Sequence, residues 1–393
     1  MAAAPRVLRV REHGRVERVQ LSRDDLATLA DPRARLATLA RPDGWYDIVA
    51  AEVVGTLVTR GLRVVIEPKI AIRRLLLLLG FAARSPVFTT PTELDTAPDT
   101  LSAMTLVYTH ALERALREGP VSTYERRSHD LPSPRGRIDV LGLVTRKFGV
   151  FPPLGCEFDE FTPDNDINRR LLAAAATLVR GGAATGPVGR HLAALCGRLA
   201  DVTEVRTGKP FGPLPPLDRR FERYKPALGL AELILRHASI ELHDGRTDSI
   251  GMLVDMNVLF EDFVAEGLRE VLGERADRWI RHPSGVWLDE QHRLPLRPDV
   301  VWRLGSTHRL VLDVKYKVVS TPPNEDVYQM ASYCQALGLR RGALVYASAR
   351  EDVFVVRNGG PEIHVFMLDP DGEPDQVRER LRDLGARLSA LAA

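Results

Sequence analysis

The stretch Leu310-Val311-Leu312-Asp313-Val314-Lys315-Tyr316 decides the fold. Its aliphatic and aromatic residues, interrupted by two charges, read as a strand. Strand side chains alternate, so Asp313 and Lys315 share one face while Leu312 and Val314 take the other. Two ionised groups in so apolar a run are costly to bury unless they are paired or hold a metal ion. Upstream, Gly305-Ser306-Thr307 reads as a hairpin turn that joins this strand to Val300–Leu304. Arg297-Pro298-Asp299 precedes that first strand. Pro298 cannot donate to a ladder, so Asp299 sits at a strand edge or start. The hairpin can therefore bring Asp299 and Asp313 together at one end of a sheet.

Working outward, Met252 to Leu272 predicts an amphipathic helix carrying Glu261, and Asp326 to Leu337 a helix carrying Gln329. Trp287-Leu288, Ala343 to Ala347, Val353 to Val356 and His364 to Leu368 read as strands, and 374–392 as a final helix. The C-terminal third is thus an α/β arrangement around one mixed sheet. Toward the N-terminus, residues 1 to about 70 predict a small, largely β region that includes the strand Leu62–Glu67, stopped by Pro68. Residues 101–118 predict a helix ended by Gly119-Pro120. Residues 120–165 are rich in Pro and Gly, with short strand-like pieces around Gly136 to Val144. Asn165-Asp166 opens a helix over 166–180, closed by Gly181-Gly182. Further helices are expected at 187–200 and 226–237. A proline-rich linker lies at 207–217 and a turn at 243–248. The expected class is α+β or α/β in three parts: a β-rich and helical region (1–125), a mostly helical middle (126–245) and a C-terminal domain with a mixed central sheet (246–393).

Two carboxylates at one sheet end make an oxygen site for a hard divalent ion, Mg²⁺ or Mn²⁺. Such an ion would polarise a phosphodiester whose own oxygens complete its coordination. Lys315, on the same face, would orient or help deprotonate the attacking water and offset charge in the transition state. Asp299 and Asp313 are the expected ligands. Glu261 is a further ligand or an orienter, and Gln329 positions the lysine or a backbone phosphate. The competing reading is a surface acid beside an ordinary strand salt bridge, because such short strings arise by chance. Other charged groups carry bland readings. His282 and His292 flank a strand near the acids, where a histidine is more often structural than a general base. Lys317 either faces the site or is a strand-end charge. Asp159, Glu160 and Asp164 suit a turn and a helix N-terminus. Arg135-Gly136-Arg137 reads as a solvated loop, and Tyr328 and Tyr333 as helix-packing residues.

Composition narrows the classes. Hydrophobic residues make up 45% and charged residues 27%, which supports folded cores and excludes a disordered chain. A formal net charge of +2 announces no uniformly basic nucleic-acid binder. Cys156, Cys196 and Cys334 lack metal-binding spacing, so a reducing cytoplasm is expected. The N-terminus has no apolar signal core, and the apolar run Leu75–Leu79 is too short to span a bilayer, so no membrane partner is expected. No GxxxxGK[ST] occurs, so the chain has no phosphate-cradling loop.

Pro298-Asp299 followed by Asp313-Val314-Lys315 matches the PD-(D/E)xK nuclease signature. The strings LVDMNVLFEDFV, LRPDVVW, LVLDVKYK and EDVYQMASY resemble segments of McrC, the nuclease subunit of McrBC-type modified-cytosine restriction systems. RVVIEPKI, LLLLLGFA, RGRID and CEFDEFTPDNDINRRLLAAA extend the resemblance over most of residues 60–350. The resemblance implies a restriction-endonuclease-like domain at 246–393 with catalytic Asp299, Asp313, Lys315, Glu261 and Gln329. It also implies partner docking through 1–125, and an McrB-like AAA+ GTPase hexamer as the partner. GTP would enter only through that partner, whose hydrolysis the chain stimulates, and the substrate would be double-stranded DNA with modified cytosine. A partner-independent defence or repair nuclease and a non-catalytic adaptor of an AAA+ ring are the alternatives.

Overall fold

Val300–Leu304 and Thr307–Val318 form the expected antiparallel hairpin, turned at Gly305, whose φ of +62° suits a residue without a Cβ. They belong to a computed structural model that describes residues 6–59, 61–69, 78, 80, 99–142, 153–180, 186–205, 211–212, 219–237, 240–242, 249–273 and 279–393. Leu75–Leu79 apart from Leu78, Gly181-Gly182, most of the linker 207–217, residues 143–144 and the turn 243–248 lie outside the described residues. The chain divides into two compact units, Met1–Met104 with Leu242–Ala393, and Thr105–Glu241.

In the first unit, the strand order among the described residues is Trp279–Arg281, Val300–Leu304, Thr307–Val318, Arg341–Ser348, Glu362–Met367 and Asp352–Val355. Thr307–Val318 and Glu362–Met367 both run parallel to Arg341–Ser348, and the remaining pairs are antiparallel, so the predicted mixed α/β sheet is present. Its central strands bury Val301, Val311, Leu344, Ile363 and Val365 against Met330, Tyr333 and Cys334 of the helix Asn324–Leu337. That helix sits close: a Cβ built on Gly342 would meet the Met330 sulfur at 2.5 Å and the Cys334 sulfur at 2.7 Å. The helix Met256–Leu272 packs on the helix Pro374–Ala392, where Gly267 leaves room for Leu381.

The same unit holds the β-rich N-terminal region. Arg6–Arg11, Leu62–Glu67, Val53–Val58 and Ser249–Asp255 lie side by side in that order. This corrects one expectation. Met252 to Asp255 are strand, not helix, and pair with Val53–Thr56. The helix starts at Met256 because the Asp255 side chain accepts the amides of Asn257 (2.9 Å) and Val258 (3.4 Å) and caps it.

In the second unit, Thr123–Leu131 and Leu154–Thr162 pair over nine residues each, more strand than the Pro- and Gly-rich stretch predicts. Asn165 caps the helix Asp166–Leu178 as expected. Asp164 accepts from Arg169, Arg127 and Thr203, and the Arg169 guanidinium foremost holds its carboxyl well below the usual range. This acid therefore serves as a turn anchor. Among the described residues no helix is long and apolar enough to cross a membrane.

Candidate active site

The hairpin register pairs Val300 with Leu312, so Asp299 and Asp313 stand one step past that rung on neighbouring strands. Asp299 Oδ2 accepts the backbone amide of Val314 at 2.7 Å. Alternation holds at the next position: Lys315 Nζ lies 2.6 Å from Asp313 Oδ2. Gln329 joins them from its helix, accepting from Lys315 Nζ at 3.0 Å. The Gln329 amide also donates to the Tyr333 hydroxyl (2.8 Å), which donates to the Arg297 carbonyl (3.0 Å). Lysine, glutamine, tyrosine and the backbone just before Pro298-Asp299 thus form one chain of hydrogen bonds. Glu261 arrives from Met256–Leu272, a helix held to the sheet by Phe260 against Tyr316, with ring centroids 5.7 Å apart.

All five candidate residues converge in the first unit. Glu261, Asp299, Lys315 and Lys317 line a cavity of about 800 Å³ that also takes in His13 and Lys69 from the N-terminal strands. Lys317 keeps to the face of Lys315, where Gln329 and Asp326 of one helix receive the two amines. The pairing with Arg341–Ser348 shifts register after Lys315, and the Lys317 ammonium is bound by Asp326 at 3.0 and 3.1 Å. Tyr333 is buried as expected, whereas Tyr328 is exposed.

The electrostatics are those of a site short of positive charge. Burial, with Asp313 and Glu261 nearby, pushes Asp299 up to about 8. Burial also raises Glu261 to about 7, against the pull of Arg281 and with help from Asp262 and Asp313. Asp313 is raised by burial against the pull of Lys315. Burial works against the Lys315 ammonium too, but the Asp313 carboxylate outweighs it and keeps the amine above its ordinary value. Glu261 Oε1 is buried, 3.1 Å from His282 Nε2. Three desolvated carboxyls near one lysine fit a divalent cation, which would favour all three ionised forms at once.

Sequence reasoning set aside one residue of this site. Among the described residues, ligand atoms of Glu261, His282 and Asp299 all lie within 4.8 Å of one another. Asp313 is outside that group, engaged with Lys315. His282 follows the strand Trp279–Arg281, and its amide donates to the Asp299 carbonyl at 2.9 Å. Only the pairing of that short strand with Val300–Trp302 brings it here, and nothing local to His282 announces this.

Comparison with known proteins agrees with this architecture. A chain of the refined half-complex of the tetradecameric assembly of Thermococcus gammatolerans McrB AAA+ hexamers with bound McrC aligns at a TM-score of 0.56 and 16% identity. The alignment covers 96% of this chain and 100% of that one, which is a likeness of fold. A chain of the cryo-EM structure of the Thermococcus gammatolerans McrBC complex aligns at 0.42 and 18% identity, over 68% of this chain and 89% of its own. No curated protein matches the sequence. Residues 48–347 match the McrBC 5-methylcytosine restriction system component family, and the chain belongs to that family.

Proposed function

We propose that this chain is the nuclease subunit of an McrBC-type restriction system, a Mg²⁺-dependent endonuclease of the PD-(D/E)xK type acting in the cytoplasm. It cleaves DNA phosphodiester bonds when assembled with an McrB-like AAA+ GTPase hexamer and stimulates that partner's hydrolysis. The observation that carries the reading is the convergence of Asp299, Glu261 and Lys315 on one cavity, with Asp313 Oδ2 2.6 Å from Lys315 Nζ. Family membership supports the partner, as does the fold shared with a chain from an assembly of McrB hexamers with bound McrC.

Asp299 and Glu261, joined by Asp313 from beside Lys315, would hold the cation. When bound, it supplies Lewis-acid polarisation of the phosphoryl group. Lys315 stays protonated beside Asp313, so its role is electrostatic: it orients the attacking water and faces the charge that grows on the phosphoryl oxygens. Gln329 fixes the amine's direction, since its oxygen accepts one ammonium hydrogen bond and its amide donates to Tyr333. Asp299 is fixed through the Val314 amide, so both carboxylates reference the same strand.

The test is cleavage of modified DNA by the assembled complex with GTP. Asp313→Ala or Lys315→Ala should lower the rate by about a hundredfold or more, with partner binding and GTP hydrolysis retained. Cutting at the normal rate by either variant would refute the site. Cutting by the isolated chain would favour a partner-independent nuclease. Stimulated hydrolysis without any cutting by the native chain would favour an adaptor.

A further inference from the structure

The residues that sequence reasoning connects to the cation are all carboxylates, yet a histidine stands among them. We propose that His282 is a nitrogen ligand of this cation and biases the site toward manganese(II) over magnesium. The inference rests on the nuclease reading above and adds a ligand that lets manganese(II) compete with magnesium at its site.

The backbone places His282 in register with the acids. Arg281 pairs with Val300, and Val300 pairs with Leu312. One step past those rungs come His282, Asp299 and Asp313, a single row across three strands. The His282 amide to the Asp299 carbonyl, at 2.9 Å, carries the ladder into that row.

The side chain completes the case. His282 Nε2 lies 3.1 Å from Glu261 Oε1, an oxygen that is buried. A lone pair on each atom directed at a common ion fits this approach, and among the described residues ligand atoms of Glu261, His282 and Asp299 all lie within 4.8 Å of one another. Arg281, the preceding residue, is ion-paired with Asp262 and Glu266. Those two acids follow Glu261 on its helix, so the histidine and the glutamate are held near each other. The imidazole is 61% exposed, unlike a histidine that serves a core.

Donor chemistry sets the consequence. Magnesium takes oxygen ligands almost exclusively and sheds water reluctantly, whereas manganese(II) accepts oxygen together with imidazole nitrogen. An all-carboxylate site has no such bias, and a site with one imidazole does.

The test uses the full chain, titrated with MnCl₂ and MgCl₂ by calorimetry, with electron spin-echo spectra of the bound manganese. His282→Asn is the variant, because asparagine tolerates the left-handed backbone found there (φ +43°). The native chain is expected to show nitrogen modulation from a coordinated imidazole. The variant should lose that modulation and about tenfold or more in manganese affinity, with magnesium affinity nearly unchanged. Modulation that persists in the variant, or an ion that binds the native chain without nitrogen modulation, overturns the assignment and leaves the nuclease reading standing. A native chain that binds neither ion overturns both.

Discussion

The carboxylate of Asp299 and the backbone amide of Val314 are joined by a 2.7 Å hydrogen bond, so an acid outside the strand is fastened between the acid and the lysine within it. This bond needs an acceptor but not a charge. Asp299→Asn keeps an oxygen for Val314 and removes an ionisable group that burial disfavours. In metal-free protein the variant should match or exceed the native chain in thermal stability at pH 8. Asp299→Ala should cost about 1–3 kcal/mol by orphaning the amide. Both variants should lose cation binding. Scanning calorimetry with and without MgCl₂ separates the two contributions.

Acidity links the metal to stability. Folded Asp299 and Glu261 hold protons up to about 8 and about 7, against ordinary values of 3.8 and 4.5. Between those limits the folded chain binds more protons than the unfolded one, so stability falls as pH rises. Metal-free protein should therefore melt at progressively lower temperature from about pH 5 to pH 8. Added divalent cation should raise the melting temperature more at pH 8 than at pH 6, with protons released on binding. Calorimetric titration in buffers of different ionisation heat measures that release. A melting temperature independent of pH over this window would falsify the linkage.

Tyr333→Phe removes the hydroxyl between the Gln329 amide and the Arg297 carbonyl while leaving the ring in the core. The expected stability cost is about 1 kcal/mol. Cleavage should slow because Lys315 loses its fixed direction, while cation affinity stays as in the native chain. Single-turnover cleavage alongside metal titration distinguishes this from a general loss of folding.

Gly342→Ala tests the packing beneath the site. The added methyl would press on Met330 and Cys334 and lift the helix that carries Gln329. Overpacking of this kind costs about 1–3 kcal/mol. Denaturant unfolding should show that loss, and Met330→Ala introduced with Gly342→Ala should recover part of it.

The local core of the site was legible because period-two alternation survives in Leu310 to Tyr316, and a glycine marks the turn before it. Two strands joined by a tight turn have few alternatives, so Asp299 beside Asp313 followed from the residues alone. The partners that arrive from distant sequence did not. Met252-Leu253-Val254 fit a helical stripe as well as a strand, and only the pairing with Val53–Thr56 decides between them. Asp255 was the overlooked sign, an acid two residues before the amide it caps. Thr123–Leu131 pairs along its whole length yet is mostly exposed and charged, so it lacks the apolar alternation that marks a strand. His282 has no local signature, since the row that recruits it exists only once three strands are assembled.

The strand Ser249–Asp255 closes onto Val53–Val58, about 190 residues earlier in the chain. A ribosome adds roughly 5–20 residues per second, so the earlier strand waits on the order of 10–40 s for its neighbour to emerge. During that interval its backbone edge is open to any extended peptide nearby, and the Glu261 helix, which begins where the late strand ends, has not yet been made. Nascent chains of this protein should therefore be unable to bring Glu261 to the candidate site until well past the midpoint of translation.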